Sequence, residues 1–282
     1  YDFNQPVDVV IKEEKSHEWD RLSFDSQDSP FLQIRENDLR LNIEGIGKFR
    51  AFNGKKISWE KSSANVNDDD IRVFILGSIF GAILIQKNFL LLHGNAMEKK
   101  GRIIACLGPS GAGKSTLSYS LACNGWNLLA DDMVSLTKSF VVKKGIPRIK
   151  LWNDAVNSFR LDQNDLKKVR RNIFKYSVKN KSNNNKTYTK QIDCIYIINR
   201  ISKLSSSKDT FINGEILDFP SKNIALGALL KNLYRPSFIK ALSRKKNYFT
   251  SLVSIAEKIP VYSLNLPPSI NDMNQWLKYQ EL

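Results

Sequence analysis

The sequence predicts an α/β fold, and three observations carry that prediction. Between about 31 and 54, the stretches FLQIREN, LRLNIEG and KFRAFNG alternate apolar with polar residues and are punctuated by Gly45, Gly47 and Gly54. That is the period and punctuation of short strands. From Arg102 the chain reads as strand (RIIACLG), glycine loop, helix (KSTLSYSLACNG, ending at Gly125) and strand (NLLADD). This βαβ order implies a largely parallel central sheet. Further on, the buried-strand runs DCIYIIN and IPVYSL alternate with stretches of helical spacing.

These elements divide into a β-rich N-terminal part, 1–66, and a larger α/β domain, 67–282. The domain opens with a helix over about 69–87, built on VFILGSIFGAILIQK and flanked by Asp68–Asp70 and Lys87. The run falls short of the roughly 20 residues that span a bilayer, so it reads as a buried helix and no membrane partner is expected. NFLLLHG then reads as a strand. SKNIALGALLKNLY and SFIKALSRKKNYFTSLVSIAEK carry helical spacing; in the second, Phe238, Leu242, Phe249, Val253 and Ala256 fall near one face, and Pro236 suits a helix start. NDMNQWLKY reads as a last helix capped by Asn271.

With 282 residues, 42% of them hydrophobic, the chain has enough apolar surface for a real core. Cys106, Cys123 and Cys194 show no CxxC spacing and only two histidines occur, which favours a reducing cytoplasm and no structural zinc. No charged leader with an apolar segment and cleavage site opens the sequence. The net charge of +15 admits an acidic peptide, a phosphate-rich substrate, nucleic acid, a membrane surface or simply lysine-rich usage. Much of it sits in 165–190, where nine Lys or Arg face one Asp. The centre of that segment, KNKSNNNK, reads as a mobile loop. Only Phe174, Tyr176 and Tyr188 interleave with the charges, which gives base stacking weak support and argues against nucleic acid.

GPSGAGKS fits the pattern G-x-x-x-x-G-K-[ST] through Gly108, Gly113, Lys114 and Ser115. Between a strand and a helix, the amides of Ser110, Gly111, Ala112, Gly113 and Thr116 can converge on phosphate oxygens. Lys114, on a mobile, solvent-facing loop, should reach the β and γ phosphates, and the Ser115 hydroxyl should ligate Mg²⁺. Asp131 and Asp132 end a strand expected beside the phosphate-loop strand. They can bring one carboxylate to a metal and another to an attacking hydroxyl. His93 closes the run Phe89–Leu92, where a structural histidine and a catalytic one are both open readings.

Neither an LSGGQ-like signature nor an NKxD-type motif is present, which excludes ABC-type ATPases and GTPases. HGNAM…GPSGAGKST…LLADD resembles HPr serine kinase/phosphorylase and, more closely, its relatives encoded with lasso-peptide pathways. GIGKFRAFNG, RVFILGSIFGAIL, PRIKLW, LYRP and IPVYSL extend the resemblance over nearly the whole chain. The resemblance implies a P-loop, HPr-kinase-like central sheet and ATP- and Mg²⁺-dependent transfer to a serine of a peptide or small protein. It further implies Asp131 as base, Asp132 at the metal, and His93 supporting Asp131 or the phosphate. Thr116 stands where true HPr kinases have an acidic residue, and their glycine-rich signature after the Asp pair is missing. This departure weighs against HPr as acceptor and against the reverse reaction. Arg148, Lys150 and Arg235 are candidates for an extra cation near the leaving group. A kinase of a free small molecule, an HPr-type protein serine kinase and a nucleotide-gated nucleic-acid binder are the alternatives, and homo-oligomerisation is left open.

Overall fold

The structure, a computed structural model, describes residues 8–15, 31–170, 173–179, 190–199, 214–267, 269–280 and 282. It is a mixed α/β protein whose chain forms two compact units, Tyr1–Phe89 with Arg235–Tyr248, and Leu90–Tyr234 with Phe249–Leu282.

In the first unit, β1 (Val10–Glu13), β2 (Leu32–Arg35), β3 (Asp38–Ile43), β4 (Gly47–Phe52) and β5 (Lys56–Lys61) form one sheet in the order β1-β5-β4-β3-β2. The three stretches read as short strands are β2, β3 and β4. Their alternation turns Leu39, Phe49 and Ala51 inward, with Ile57 of β5 beside them. The apolar run after residue 66 becomes α1 (Asp68–Phe74), a π-helical turn over Ile75–Ile79 and α2 (Phe80–Gln86). Asn67 starts it by accepting a hydrogen bond from the Asp69 amide at 2.8 Å. At its other end Gln86 satisfies its whole amide: Nε2 donates to Asn37 O (2.9 Å) and Ala51 O (3.0 Å), and Oε1 accepts from Gly54 N (2.7 Å). The run therefore groups with the strands from which the sequence boundary at 66 separates it.

The second unit begins with β6 (Leu90–Leu92), β7 (Gly94–Lys99), β8 (Arg102–Leu107), α3 (Lys114–Cys123) and β9 (Asn127–Ala130). There follow β10 (Val134–Leu136), β11 (Val142–Lys143), β12 (Arg148–Trp152), α4 (Asn153–Ser158), β13 (Lys167–Arg170), β14 (Ile173–Lys179), β15 (Cys194–Asn199), β16 (Glu215–Asp218) and α5 (Lys222–Lys231). After α6 (Pro236–Ala241), which belongs to the first unit, come α7 (Lys245–Lys258), whose residues through Tyr248 also belong to the first unit, β17 (Val261–Asn265) and α8 (Ile270–Tyr279). The main sheet runs β16-β17-β15-β8-β7-β9.

Only β8, β15 and β17 are parallel neighbours; β16, β7 and β9 pair antiparallel, so the largely parallel sheet read from the βαβ order is corrected. The cause is a two-residue turn. Lys100 (φ 51°) and Gly101 (φ 84°) are both left-handed, the geometry that folds a twisted hairpin back on itself, here β7 onto β8. The strand ending at Ala130 is consequently separated from β8 by β7 rather than lying beside it. Both run antiparallel to β7, so β8 and β9 still finish at the same sheet edge.

Leu117 and Leu121 of α3 pack with Met97, Ile104, Cys106 and Tyr196 of the sheet, and Met273 and Trp276 of α8 join the same core. Cys106 is fully buried, as the strand pattern implied. The long helical stretch after Pro236 breaks at Ser243 (φ 54°) into α6 and α7, and Phe249 is 51% exposed rather than inward. Ser269, not Asn271, caps α8 by accepting from the Asp272 amide. Within the basic segment, Lys167–Arg170 and Ile173–Lys179 are not loop but the antiparallel strands β13 and β14, with β14 paired to β12. Apolar Phe174, Tyr176 and Val178 recur every second residue, enough to seat a strand. The Asn-rich centre over 180–189, with Tyr188, lies outside the described residues, as does Arg171. Among the described residues no helix is long and apolar enough to cross a membrane.

The β7–β8 hairpin offers a direct check. A Cβ added at Gly94 would stand 2.4 Å from Cys106 O and 2.5 Å from Leu107 Cδ2. Gly94→Ala should cost about 1–3 kcal/mol in urea unfolding through overpacking against a backbone that cannot withdraw.

Candidate functional site

The glycine loop joins the end of β8 to α3. Gly111 (φ 80°) and Gly113 (φ 95°) are left-handed, which a side chain would disfavour, and a Cβ at Gly108 would stand 2.8 Å from Ile198 O. Gly113 is the N-cap of α3 and has no side chain to occupy the helix's first amides. Ser110 is exposed at the loop tip, while Ala112 closes the turn through its amide to Pro109 O. The result is a helix start whose first amides have no side-chain cap, a polarity that suits an anion.

Lys114 is only 8% exposed, so it is not the solvent-facing lysine expected. Its Nζ donates to Gly108 O at 2.7 Å and Pro109 O at 2.9 Å. Burial lowers its pKa, opposed by the nearby carboxylate of Asp132. Ser115 and Thr116 are half-buried in the first turn of α3.

Just past β9, the two aspartates point different ways. Asp131 Oδ1 accepts from Asn95 Nδ2 at 2.9 Å, and Oδ2 accepts from the backbone amide of Lys150 at 2.9 Å. Asn95, 1% exposed on β7, also donates to Ser118 Oγ of α3 at 2.6 Å. One amide thus ties the carboxylate to the helix that begins at the glycine loop. Burial pushes the Asp131 carboxyl up to about 6, against the pull of Lys150. Asp132 adopts a left-handed backbone (φ 73°), which Asp tolerates better than most residues. Its Oδ2 takes a charge-assisted hydrogen bond from Lys150 Nζ at 2.9 Å, and its carboxyl sits below the usual range: burial acts against this, but Lys150 outweighs it.

His93 lies against Asp132 rather than Asp131. Its Nδ1 is 3.0 Å from Asp132 O and 3.7 Å from Asp132 Oδ1. A carbonyl only accepts, so Nδ1 carries the proton and Nε2 of the neutral ring keeps a lone pair. Burial, then Lys114, lowers the His93 pKa and favours that neutral form.

Of the cationic candidates, Lys150 is in the site. Arg148 stands two residues earlier on β12, with its Nε buried and without a hydrogen-bond partner. Arg235 belongs to the first unit, where it precedes α6 and lies over the Phe238 ring. Three site residues escaped the sequence reading. Asn95 and Ser118 sit in strand and helix positions that pattern alone marks as core. Lys175 was absorbed in the supposed loop. Its pKa is lowered by burial against the opposing charge of Asp132, and its field reaches Lys114 and Lys150.

Among the described residues no three His, Cys, Asp or Glu side chains cluster around a common point. Mg²⁺ needs fewer, since it binds through one or two carboxylates plus phosphate and water, and the oxygen donors of Ser115 and Asp132 fit it. No protein-family model and no curated protein matches the chain.

Because the folded state holds Asp131 above its ordinary 3.8, the protonated form suits the fold better. Its stabilising contribution is full below 3.8 and lost as pH rises through about 6. The melting temperature of Asp131→Asn relative to the parent should therefore climb between pH 4 and pH 7, as calorimetry across that range would record. Asn95→Leu, which removes the donor to Asp131, should raise that carboxyl further.

Proposed function

We propose that this chain is a P-loop phosphotransferase of HPr-kinase-like fold that moves the γ-phosphate of Mg·ATP to a serine hydroxyl of a small precursor peptide, of the lasso-peptide tailoring type. The observation that carries the reading is the joint position of a helix start without a side-chain cap and a carboxylate with a pKa of about 6 at one sheet edge. A carboxylate so poised is ionised at neutral pH yet basic enough to take a proton.

When bound, Mg·ATP supplies an electrophilic γ-phosphorus and a diphosphate leaving group. The backbone amides of Ser110, Gly111, Gly113, Lys114, Ser115 and Thr116 and the ammonium of Lys114 would bind its phosphates, and Ser115 with Asp132 would hold the metal. Asp131 Oδ receives the proton of the acceptor Oγ–H as that oxygen attacks. Neutral His93, held through Nδ1–H to Asp132 O, keeps the Asp132 backbone in its left-handed turn. Lys150 anchors both carboxylates, one through its amide and one through Nζ. Lys175 adds a second cation on the same side.

Labelled ATP, Mg²⁺ and an extract of the source cell test the reading, with the acceptor identified by its mass shift. Lys114→Ala and Asp131→Asn should each lower transfer by roughly 10³-fold or more, the scale of lost electrostatic or general-base assistance. Asp131→Asn should keep Mg-dependent nucleotide binding, whereas Asp132→Asn should weaken it. Equal binding losses in the two variants would reverse the roles, and near-normal turnover by folded Lys114→Ala would overturn the assignment. The rate should fall as pH drops through about 6.

A further inference from the structure

The three strands β12-β14-β13 form a sheet with two unlike faces. Ile149, Leu151 and Tyr176 are buried on one of them and belong to the core of the second unit. Alternation sends the intervening residues to the other face. Register aligns Arg148 with Lys179, Lys150 with Ser177, Trp152 with Lys175, and Lys167 with Ser177. That face therefore carries Arg148, Lys150, Lys167, Lys175 and Lys179, with Trp152 among them. The Lys175 ammonium lies 5.2 Å from the Trp152 ring centroid, which confirms the shared side.

No acidic residue occurs anywhere on these strands. Arg148 and Lys179 face each other directly across the pair, an arrangement that costs stability in an isolated sheet. Asp132 pairs with Lys150 at 2.9 Å, and its charge also reaches Lys175. Trp152 is 51% exposed, and Arg148 Nε is buried without a hydrogen-bond partner. Five cations gathered on one face, with an exposed aromatic ring at the end of its edge strand, are shaped for an anionic partner.

We infer that this face docks an acidic, extended segment of the acceptor polypeptide, flanking the serine that receives phosphate; the inference rests on the kinase reading above. Lys150 and Lys175 stand at the reacting edge, and Lys167 and Lys179 lie on the order of 10 Å further out by strand spacing and rise. An extended chain with acidic residues at alternate positions presents a carboxylate about every 7 Å on one side, the same interval that separates Arg148 from Lys150 along β12. Such a chain sets its carboxylates over the cations and packs an apolar side chain on Trp152. Nucleic acid fits less well. Single-strand binders stack successive bases on successive rings, whereas this face offers one, already approached by Lys175.

The test uses the full chain and a fluorescein-labelled peptide with one serine followed by glutamates at alternate positions, its glutamine counterpart, and a labelled oligothymidylate of equal charge. Fluorescence anisotropy gives their affinities, and nucleotide affinity is measured in parallel. The glutamate peptide should bind, weaken steeply with salt, and lose at least roughly ten-fold in affinity in the Lys167→Glu/Lys179→Glu variant, with nucleotide affinity unchanged. The glutamine peptide should bind far more weakly. If the double reversal fails to fold, Lys167→Gln/Lys179→Gln, which should give a smaller loss, decides the matter together with the salt dependence. Binding of this kind without phosphate transfer would support the docking face while overturning the kinase reading. Affinity indifferent to the substitutions and to salt would overturn the docking face. So would tighter, equally charge-dependent binding of the oligothymidylate.

Discussion

The hydrogen bonding of the Asp131 carboxylate is the constraint on which the candidate site depends. Three elements must stay in register to supply it: β7 through Asn95, α3 through Ser118 behind Asn95, and β12 through the Lys150 amide. Burying an ionised carboxylate costs several kcal/mol unless donors and charges answer it. Two neutral donors and one lysine answer it in part, which leaves the group with a pKa of about 6 instead of an ordinary 3.8. The same bonds bring the end of β9 to the edge where β8 hands over to the glycine loop.

Lys150 makes Asp131 and Asp132 unequal. It gives its amide to one and its ammonium to the other, and a formal ion pair outweighs a neutral donor. Asp132 is therefore held below the usual carboxylate range and Asp131 above it. Two adjacent carboxyls with opposite shifts can divide proton transfer from cation holding, the division that the proposed phosphotransfer requires. Burial and a neighbouring cation, Lys175 for Lys114 and Lys150 for Lys175, destabilise both ammonium groups, which the aspartates and, for Lys114, the carbonyls of Gly108 and Pro109 offset. An anion with more than one charge would relieve that crowding.

Much of this was legible in the sequence because local rules were at stake. The glycine loop, its flanking strand and helix, three of the five strands of the N-terminal sheet (β2, β3 and β4) and the adjacency of the Asp pair follow from period, turn chemistry and a motif whose residues are contiguous. What failed depended on pairing at a distance. GNAMEKKGR contains a good hairpin turn at Lys100–Gly101, but its charged tail hid β7, and with it the strand that separates β8 from β9. Asn95 reads as an ordinary residue after a glycine until Asp131 is brought opposite it. Lys175 disappeared into a charge run, although Phe174, Tyr176 and Val178 recur at the period of a strand. His93 faced Asp132 rather than Asp131 because the left-handed turn at Asp132, which no sequence pattern announces, swings its carbonyl toward β6.

The central claim is that folding holds Asp131 as a poised base. Carbon-13 NMR of the aspartate side-chain carboxyls, with the Asp131 resonance assigned by its loss in Asp131→Asn, measures this without relying on turnover or on a known acceptor. The account predicts a titration midpoint near 6 in the folded chain. A midpoint near the ordinary 3.8 would contradict it, because Asp131 would then be a solvated surface carboxylate and its hydrogen bonds to Asn95 and Lys150 would carry no chemical consequence.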